Sequence, residues 1–307
     1  MPVRAVQGKD VPKISQDHPA GEALRRLMRK TMRALAQDLE QARSGKTVHP
    51  ARRRLKLARS QLRLMKPALG ADSFRQENQA LRDAANALAG LRHTEAMIEA
   101  IAKLKADAKD VASDEAVFAA LEAAARDLRE EAVSPDETGR RIEEALARIE
   151  NLRGRISSWT LPKRDISLFV EGMRTCFSKA RRLLRDGLER KEMPLLHEAR
   201  KSVIHHLHHI ELLTPLWPKL FKVWAGELQK LREDLGDLND LDDLSGEFDR
   251  PDSPFAAIEP KARAAELIDR RRTSILARIA SETGHLFAEE PKNFAARIDA
   301  LWRHLAA

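Results

Sequence analysis

The stretch HPARRRLKLARSQLRLMK occupies residues 49–66. It carries His49, Arg52, Arg53, Arg54, Lys56, Arg59, Arg63 and Lys66 and not one acid. Wound at about 100° per residue, it gathers His49, Arg52, Lys56, Arg59, Arg63 and Lys66 within an arc of roughly 100°. Ala51, Leu55, Ala58, Leu62 and Met65 fall outside that arc, towards a core. The stretch therefore reads as one helix with leucines on one side and a ladder of positive charge on the other. A ladder of like charge repels itself unless an anion or nearby acids answer it. Arg supplies forked donors to phosphate oxygens and Lys a point charge. His49 stands at the helix start, where unpaired N–H groups also favour an anion. Successive basic turns on one face suit a linear anion with regularly spaced charge.

Outward from this helix the periodicity predicts helix nearly throughout. Residues 1–18 hold Pro2, Gly8 and Pro12 and no period, which predicts a flexible tail. A helix is expected over about 20–43, with Arg29 and Arg33 among its charged residues. After the ladder helix, one long helix is expected over 71–105, capped by Asp72 or Ser73. Two more follow at about 113–131 and 135–155, the second announced by Ser134-Pro135. The 159–165 stretch, with Pro162, divides the chain. Beyond it come a basic helix over about 165–190 with Arg181, Arg182 and Arg185, and a His-headed helix, LLHEARKSVIHHLHHIELL. A long helix over about 221–244 ends in LGDLNDLDDL, and two last helices cover about 256–283 and 292–305.

The halves rhyme. HPAR at 49–52 aligns with HEAR at 197–200, and LAGLRHTE at 88–95 with LGDLNDLD at 235–242. The expected architecture is all-α: two similar helical bundles, about 19–157 and 165–305, related by a pseudo-twofold through internal duplication. In the second His helix, His197, Arg200, Lys201, Ile204 and His208 share a face. Ile204 interrupts that ladder, so the first helix is expected to supply most of any binding energy.

Composition narrows the partner. Hydrophobic residues make up 43% of 307, enough for a packed core. The formal net charge of +8 points to an anionic partner without choosing among nucleic acid, membrane surface and polyphosphate. With no Tyr, four Trp and nine Phe, base stacking on single strands is disfavoured, and no DNA-reading motif appears. Cys176 is the only cysteine, so no disulfide framework forms within the chain. The N-terminus lacks an apolar signal region and no apolar run is long enough to span a bilayer, which together predict a cytoplasmic protein.

Other chemistry-bearing groups read as structural. His205, His206, His208 and His209 offer spacings that can seat a metal, yet they point in several directions, and packing or anion-facing roles are preferred. Asp234, Asp237, Asp240, Asp242 and Asp243, with Glu95 at the matching place in the first half, can hold Mg²⁺ or move protons; bracing of the basic side chains is preferred. No Gly-rich phosphate loop, G-x-S-x-G or H-E-x-x-H occurs. Lone Gly90 and Gly236 are read as sites of close helix packing. No cofactor, metal or catalysis is expected.

VHPARRRLKLARSQLRLM at 48–65, LHEARKSVIHHLHHIELLTPLWP at 196–218 and LQKLREDLGDLNDLDDL at 228–244 resemble, in that order, the CHAD domain, a conserved-histidine α-helical domain. The likeness covers about 19–305. It implies two helical bundles with a basic groove or pore between them, non-catalytic binding of inorganic polyphosphate, and in some members association with polyphosphate granules. His49, Arg52, Lys56, Arg59 and Arg63 match the family's His and basic positions in the first half, and His197, Arg200 and Lys201 in the second, with His208 a weaker match. Arg53, Lys66, Arg29, Arg33, Arg181, Arg182 and Arg185 are expected to flank the track. Ile204 stands where another basic residue is usual, and His93 and Glu95 depart from the usual acids. The CYTH triphosphatase domain often fused to CHAD is β-rich, and nothing here resembles it. Two other readings are a basic helical nucleic-acid-binding protein and an enzyme acting on polyphosphate or nucleotides.

Overall fold

A computed structural model describes residues 13–14, 18–89, 93–108, 112–130, 134–162 and 166–306. Among them the chain is all-helical. In order the helices are α1 (Ala20–Arg43), α2 (His49–Leu69), α3 (Ala71–Ala87), α4 (His93–Ala106), α5 (Glu115–Glu130), α6 (Pro135–Arg155), α7 (Ser167–Arg190), α8 (Met193–Leu212), α9 (Pro218–Glu247), α10 (Lys261–Leu286) and α11 (Pro291–Ala306). Short 3₁₀ turns follow α6, α8 and α9.

The start signals work as chemistry predicts. Ser134 accepts the Glu137 N–H at the head of α6, and Pro135 fills the first turn, where a missing N–H costs nothing. At α3 the expected Asp72 or Ser73 cap is absent; Gly70 takes the N-cap position without a side-chain bond. The second His helix begins earlier than expected, at Met193, which puts His197 beyond the first turn.

The long helix expected over 71–105 is two helices. α3 ends at Ala87 and α4 begins at His93, with Gly90 in the sequence between. The carbonyls at the end of α3 lack intrahelical donors. Arg52 donates to the Leu88 carbonyl and Arg141 to that of Ala89 (3.2 Å). The break is thus held by cations at the negative end of a helix dipole.

α1, α2, α3 and α6 pack on one another, and α7 to α11 form a second group. α2 joins them, packing on α7 and α8. Leu55, Ala58, Leu62 and Met65 of α2 are fully or almost fully buried, as the apolar side of the stretch requires. Where α2 meets α7 the backbones touch: a Cβ on Gly172 would lie 2.2 Å from the Leu64 carbonyl oxygen.

The α4–α5 hairpin crosses over. α4 packs on α9 and α10, and α5 on the turn after α9. Asp114 beside α5 is buried and takes Arg263 at 2.7 and 3.1 Å, while Lys103 and Arg271 meet Asp237 at 2.6 and 3.0 Å. The sequence boundary near 157–165 is therefore not a packing boundary. The tail expected over 1–18 also needs correction at one point. Ile14 is buried, and its N–H bonds the Leu212 carbonyl at 3.1 Å, because an apolar side chain there closes the end of α8. The other tail residues before His18, except Lys13, lie outside the described residues, as do Gly90 and Arg92 of the first-half motif.

Candidate functional site

The α2 ladder lies between α3 and α8. Arg63 donates to Asn78 of α3 at 3.0 Å, and its guanidinium centre sits 5.9 Å from the Phe74 ring. Lys66 stands over the same ring at 5.2 Å. Arg59 is half-buried and close to Arg63 and to Arg82 of α3. On the other flank Glu198 of α8 takes Lys201 at 2.5 Å, with Lys179 of α7 at 3.9 Å. Further along, Arg53 and Lys56 of α2 lie near His208, and Arg53 and Arg200 near Arg232. Cations from α2, α3, α8 and α9 thus converge, and from Arg52 to Lys66 the helix rises about 21 Å.

Few acids answer them. None of Arg53, Arg59, Arg82 and Arg200 has a hydrogen-bond or ion-pair acceptor among the described residues, and the Nε of Arg59 and of Arg200 are buried. Burial, with repulsion from Arg63 and Arg82, pushes Arg59 down to about 10. Burial also lowers Arg63 and Arg232. Nearby Glu211 is half-buried and is pushed up to about 7 by that burial, against the pull of Arg232 and Arg53. The carboxylate best placed to neutralise this end is therefore the one least ready to ionise.

The paired motifs take related positions. Arg52 reaches the Leu88 carbonyl, and Arg200 lies against Gly236, where a Cβ would come within 3.3 Å of its guanidinium. In the aligned stretches these are neighbouring places. Gly236 therefore makes room for an arginine, not for a packed helix as its sequence context indicated. His197 Nε2 lies 3.4 Å from Asp242 without a hydrogen bond between them, so this acid is near a motif histidine but does not hold it. Asp234 and Asp237 brace other partners, Arg278, Arg271 and Lys103, and take no part in the ladder. His49 is exposed.

Ser60, unremarked in the sequence, is the hinge-pin between α2 and α8. Its hydroxyl donates to the Lys56 carbonyl at 2.8 Å and lies 2.8 Å from Nδ1 of both His205 and His208. Its carbonyl lies 2.8 Å from His209 Nε2. A hydroxyl has one proton and two lone pairs. The set closes if His205 and His208 each donate from Nδ1 and His209 from Nε2, all three rings neutral. Burial drives them that way, to about 3 for His208, about 4 for His209 and well below the usual value for His205. The ring nitrogens facing Ser60 are thus committed to helix docking. His206 stands apart among Phe177, Trp224, Phe287 and Phe294, with centroids 5.2–5.8 Å away. Among the described residues no group of three His, Cys, Asp or Glu is arranged to hold a metal ion.

The remaining sequence candidates fall elsewhere. Arg181 is anchored to the α10–α11 junction through the Phe287 carbonyl (3.0 Å) and Glu290 (2.7 Å). Arg182 and Arg185 share Asp186, at 3.6 and 3.1 Å. Arg29 and Arg33 line hollows beside α6. Ile204 is buried, so no cation could replace it without being taken out of water. Two residues missed by sequence reasoning, Arg82 and Arg232, join the ladder only through tertiary packing; a lone basic residue on another helix gives no signal. Ser60 gave none either: at about 100° per residue it falls beside the basic arc, opposite the leucines, where a small polar residue is unremarkable.

A family model for the CHAD domain matches residues 24–249. The chain belongs to the CHAD domain family. The match takes in both His-headed helices and α9, and stops before α10 and α11. The two helices that follow the matched residues pack on α7 and α9. No curated protein matches the chain. Among the described residues no helix is long and apolar enough to cross a membrane.

Proposed function

We propose that this CHAD protein binds inorganic polyphosphate without turning it over, along a basic groove floored by α2 and walled by α3 and α8. The observation that carries this reading is Arg59: half-buried, beside two other arginines, and without an acceptor among the described residues. Burial and the two neighbouring arginines oppose its charge and Glu198 answers it only in part, a cost that a bound anion would relieve. A chain of phosphates answers Arg53, Arg59, Arg82 and Arg200 together. In this reading the two halves are duplicated bundles about a pseudo-twofold, supported by the matched places of Arg52 and Arg200. Their roles have diverged: Arg52 closes the end of α3, and Arg200 faces the ligand. Location in the cytoplasm, with recruitment to polyphosphate granules, fits such a module.

Binding of labelled polyphosphate, measured against chain length and salt, tests it. Affinity should rise with chain length and fall steeply with salt, by the counterion-release logic of any dense phosphate chain. Arg59→Glu with Arg82→Glu should weaken long-chain binding by 100-fold or more with helicity unchanged. Equal affinity for orthophosphate and long chains, or displacement by duplex DNA or RNA at equal phosphate, would sink the assignment. Release of orthophosphate in the presence of Mg²⁺ would restore the enzyme reading.

A further inference from the structure

Two hollows lie side by side along α1, the second of them against α6, apart from the ladder. The first, about 630 Å³, is lined by Arg25, Arg26 and Arg29 with Pro19, Glu22 and Leu161. The second, about 360 Å³, is lined by Arg29, Arg33 and Arg153 with Glu150, Gly154 and Ile156. Arg29 belongs to both, so the two run together, and no residue of α2, α3 or α8 lines either. Each contains one acid, and each acid already holds an arginine: Glu22 takes Arg26 at 2.6 Å and Glu150 takes Arg153 at 2.5 Å. Arg29 and Arg33 are exposed and have no acceptor among the described residues. Arg25 uses one nitrogen on the Trp159 carbonyl, and its buried Nε has none. From Arg25 to Arg33 the helix rises about 12 Å, and at Gly154 the α6 wall carries no side chain.

We infer that this α1–α6 strip is a second binding site for an inorganic phosphate chain, through which one molecule bridges two polyphosphate strands. The inference rests on the polyphosphate reading of the ladder but uses different residues. A short strip with three incompletely answered arginines holds an oligophosphate more weakly than the ladder does. On long chains it turns a binder into a cross-linker.

Calorimetric titration of the full chain with tripolyphosphate tests it, comparing wild type, R29E/R33E, the milder R29Q/R33Q, and the ladder pair R59E/R82E, with circular dichroism as the folding check. The expected result is two equivalents for wild type and one for every variant. On long chains R29E/R33E should lower the salt slope by roughly 1.4, at about 0.7 per lost contact on a single strand. It should also abolish the large particles seen by light scattering while leaving the chain bound. One wild-type equivalent, lost in R59E/R82E and unchanged in R29E/R33E, overturns the second site and leaves the ladder standing. Loss only in R29E/R33E keeps the strip and removes the ladder. Oligothymidylate bound through Arg29 and Arg33 in place of tripolyphosphate overturns the inorganic assignment, and no phosphate binding at all ends both.

Discussion

Ser60 carries more of the α2–α8 contact than its size indicates. Its hydroxyl accepts from the buried His205 and the part-buried His208, and its carbonyl lies beside the buried His209. Ser60→Ala leaves one buried N–H unanswered, at about 1–3 kcal/mol, and one part-buried N–H at somewhat less. The expected loss is about 2–5 kcal/mol in urea unfolding, with binding at saturating protein little changed. A loss under 1 kcal/mol would show that the rings find other acceptors. Arg52 makes a complementary case. It closes the end of α3, so Arg52→Gln should lower the melting temperature more than it lowers affinity, whereas Arg200→Gln should do the reverse. The measured pair of melting curves and binding isotherms decides between cap and ligand contact.

At the scale of elements, the seam between α2 and α7 is set by one missing side chain. A methyl on Gly172 meets the Leu64 carbonyl oxygen, so the helices must part. Gly172→Ala should cost about 1–3 kcal/mol, in the range of overpacked cores. Gly139→Ala on α6 has open space and should stabilise by about 0.5–1 kcal/mol, the ordinary helix preference. Equal effects at the two positions would remove the close-approach argument. The helices themselves were legible in the sequence, and α1 runs over the expected residues, because a 3.6-residue apolar period is a local property. The split between α3 and α4 was less so. Its stabilising partners, Arg52 and Arg141, come from 36 and 52 residues away. The ladder was legible for the same reason as the helices, since all its members lie on one helix, at helical spacing. Its flanking cations Arg82 and Arg232, and the loss of Arg181 to Glu290, depend on contacts between distant helices and left no local trace.

For the molecule as a whole, the buried histidines set the acid limit. Their folded-state values lie below the ordinary 6.5, so the unfolded chain takes up protons first. Their contribution is fully present above about pH 6.5 and is lost as pH falls towards 3–4, at about 1.4 kcal/mol per group per pH unit. Glu211 acts in the opposite sense. Its value of about 7 is raised by burial, so its contribution is present below about 4.5 and lost as pH rises through 7. Burial also raises Asp240 and Glu282; these three carboxyls oppose four histidines, and the net result is falling stability below pH 6.5. Urea midpoints should not drop between pH 7.5 and 6.5 and should fall from pH 6.5 to 4.5, and that fall should flatten in His206→Phe, which keeps the aromatic cluster and removes a proton acceptor. A flat profile would mean that the rings are protonated in the folded state.

The crossing of the α4–α5 hairpin has a consequence for synthesis. When the first 160 residues have left the ribosome, α9 and α10 do not yet exist. Met97, Ile101, Phe118 and Leu121, all buried in the finished fold, then lack the later helices on which the hairpin packs. The nascent first half must wait, with apolar surface uncovered, for about 90 more residues until α9 is made and about 125 until α10 is. Expressed alone, residues 1–162 should come out as a sticky fragment that needs a chaperone, and adding residues 166–307 in trans should rescue its solubility.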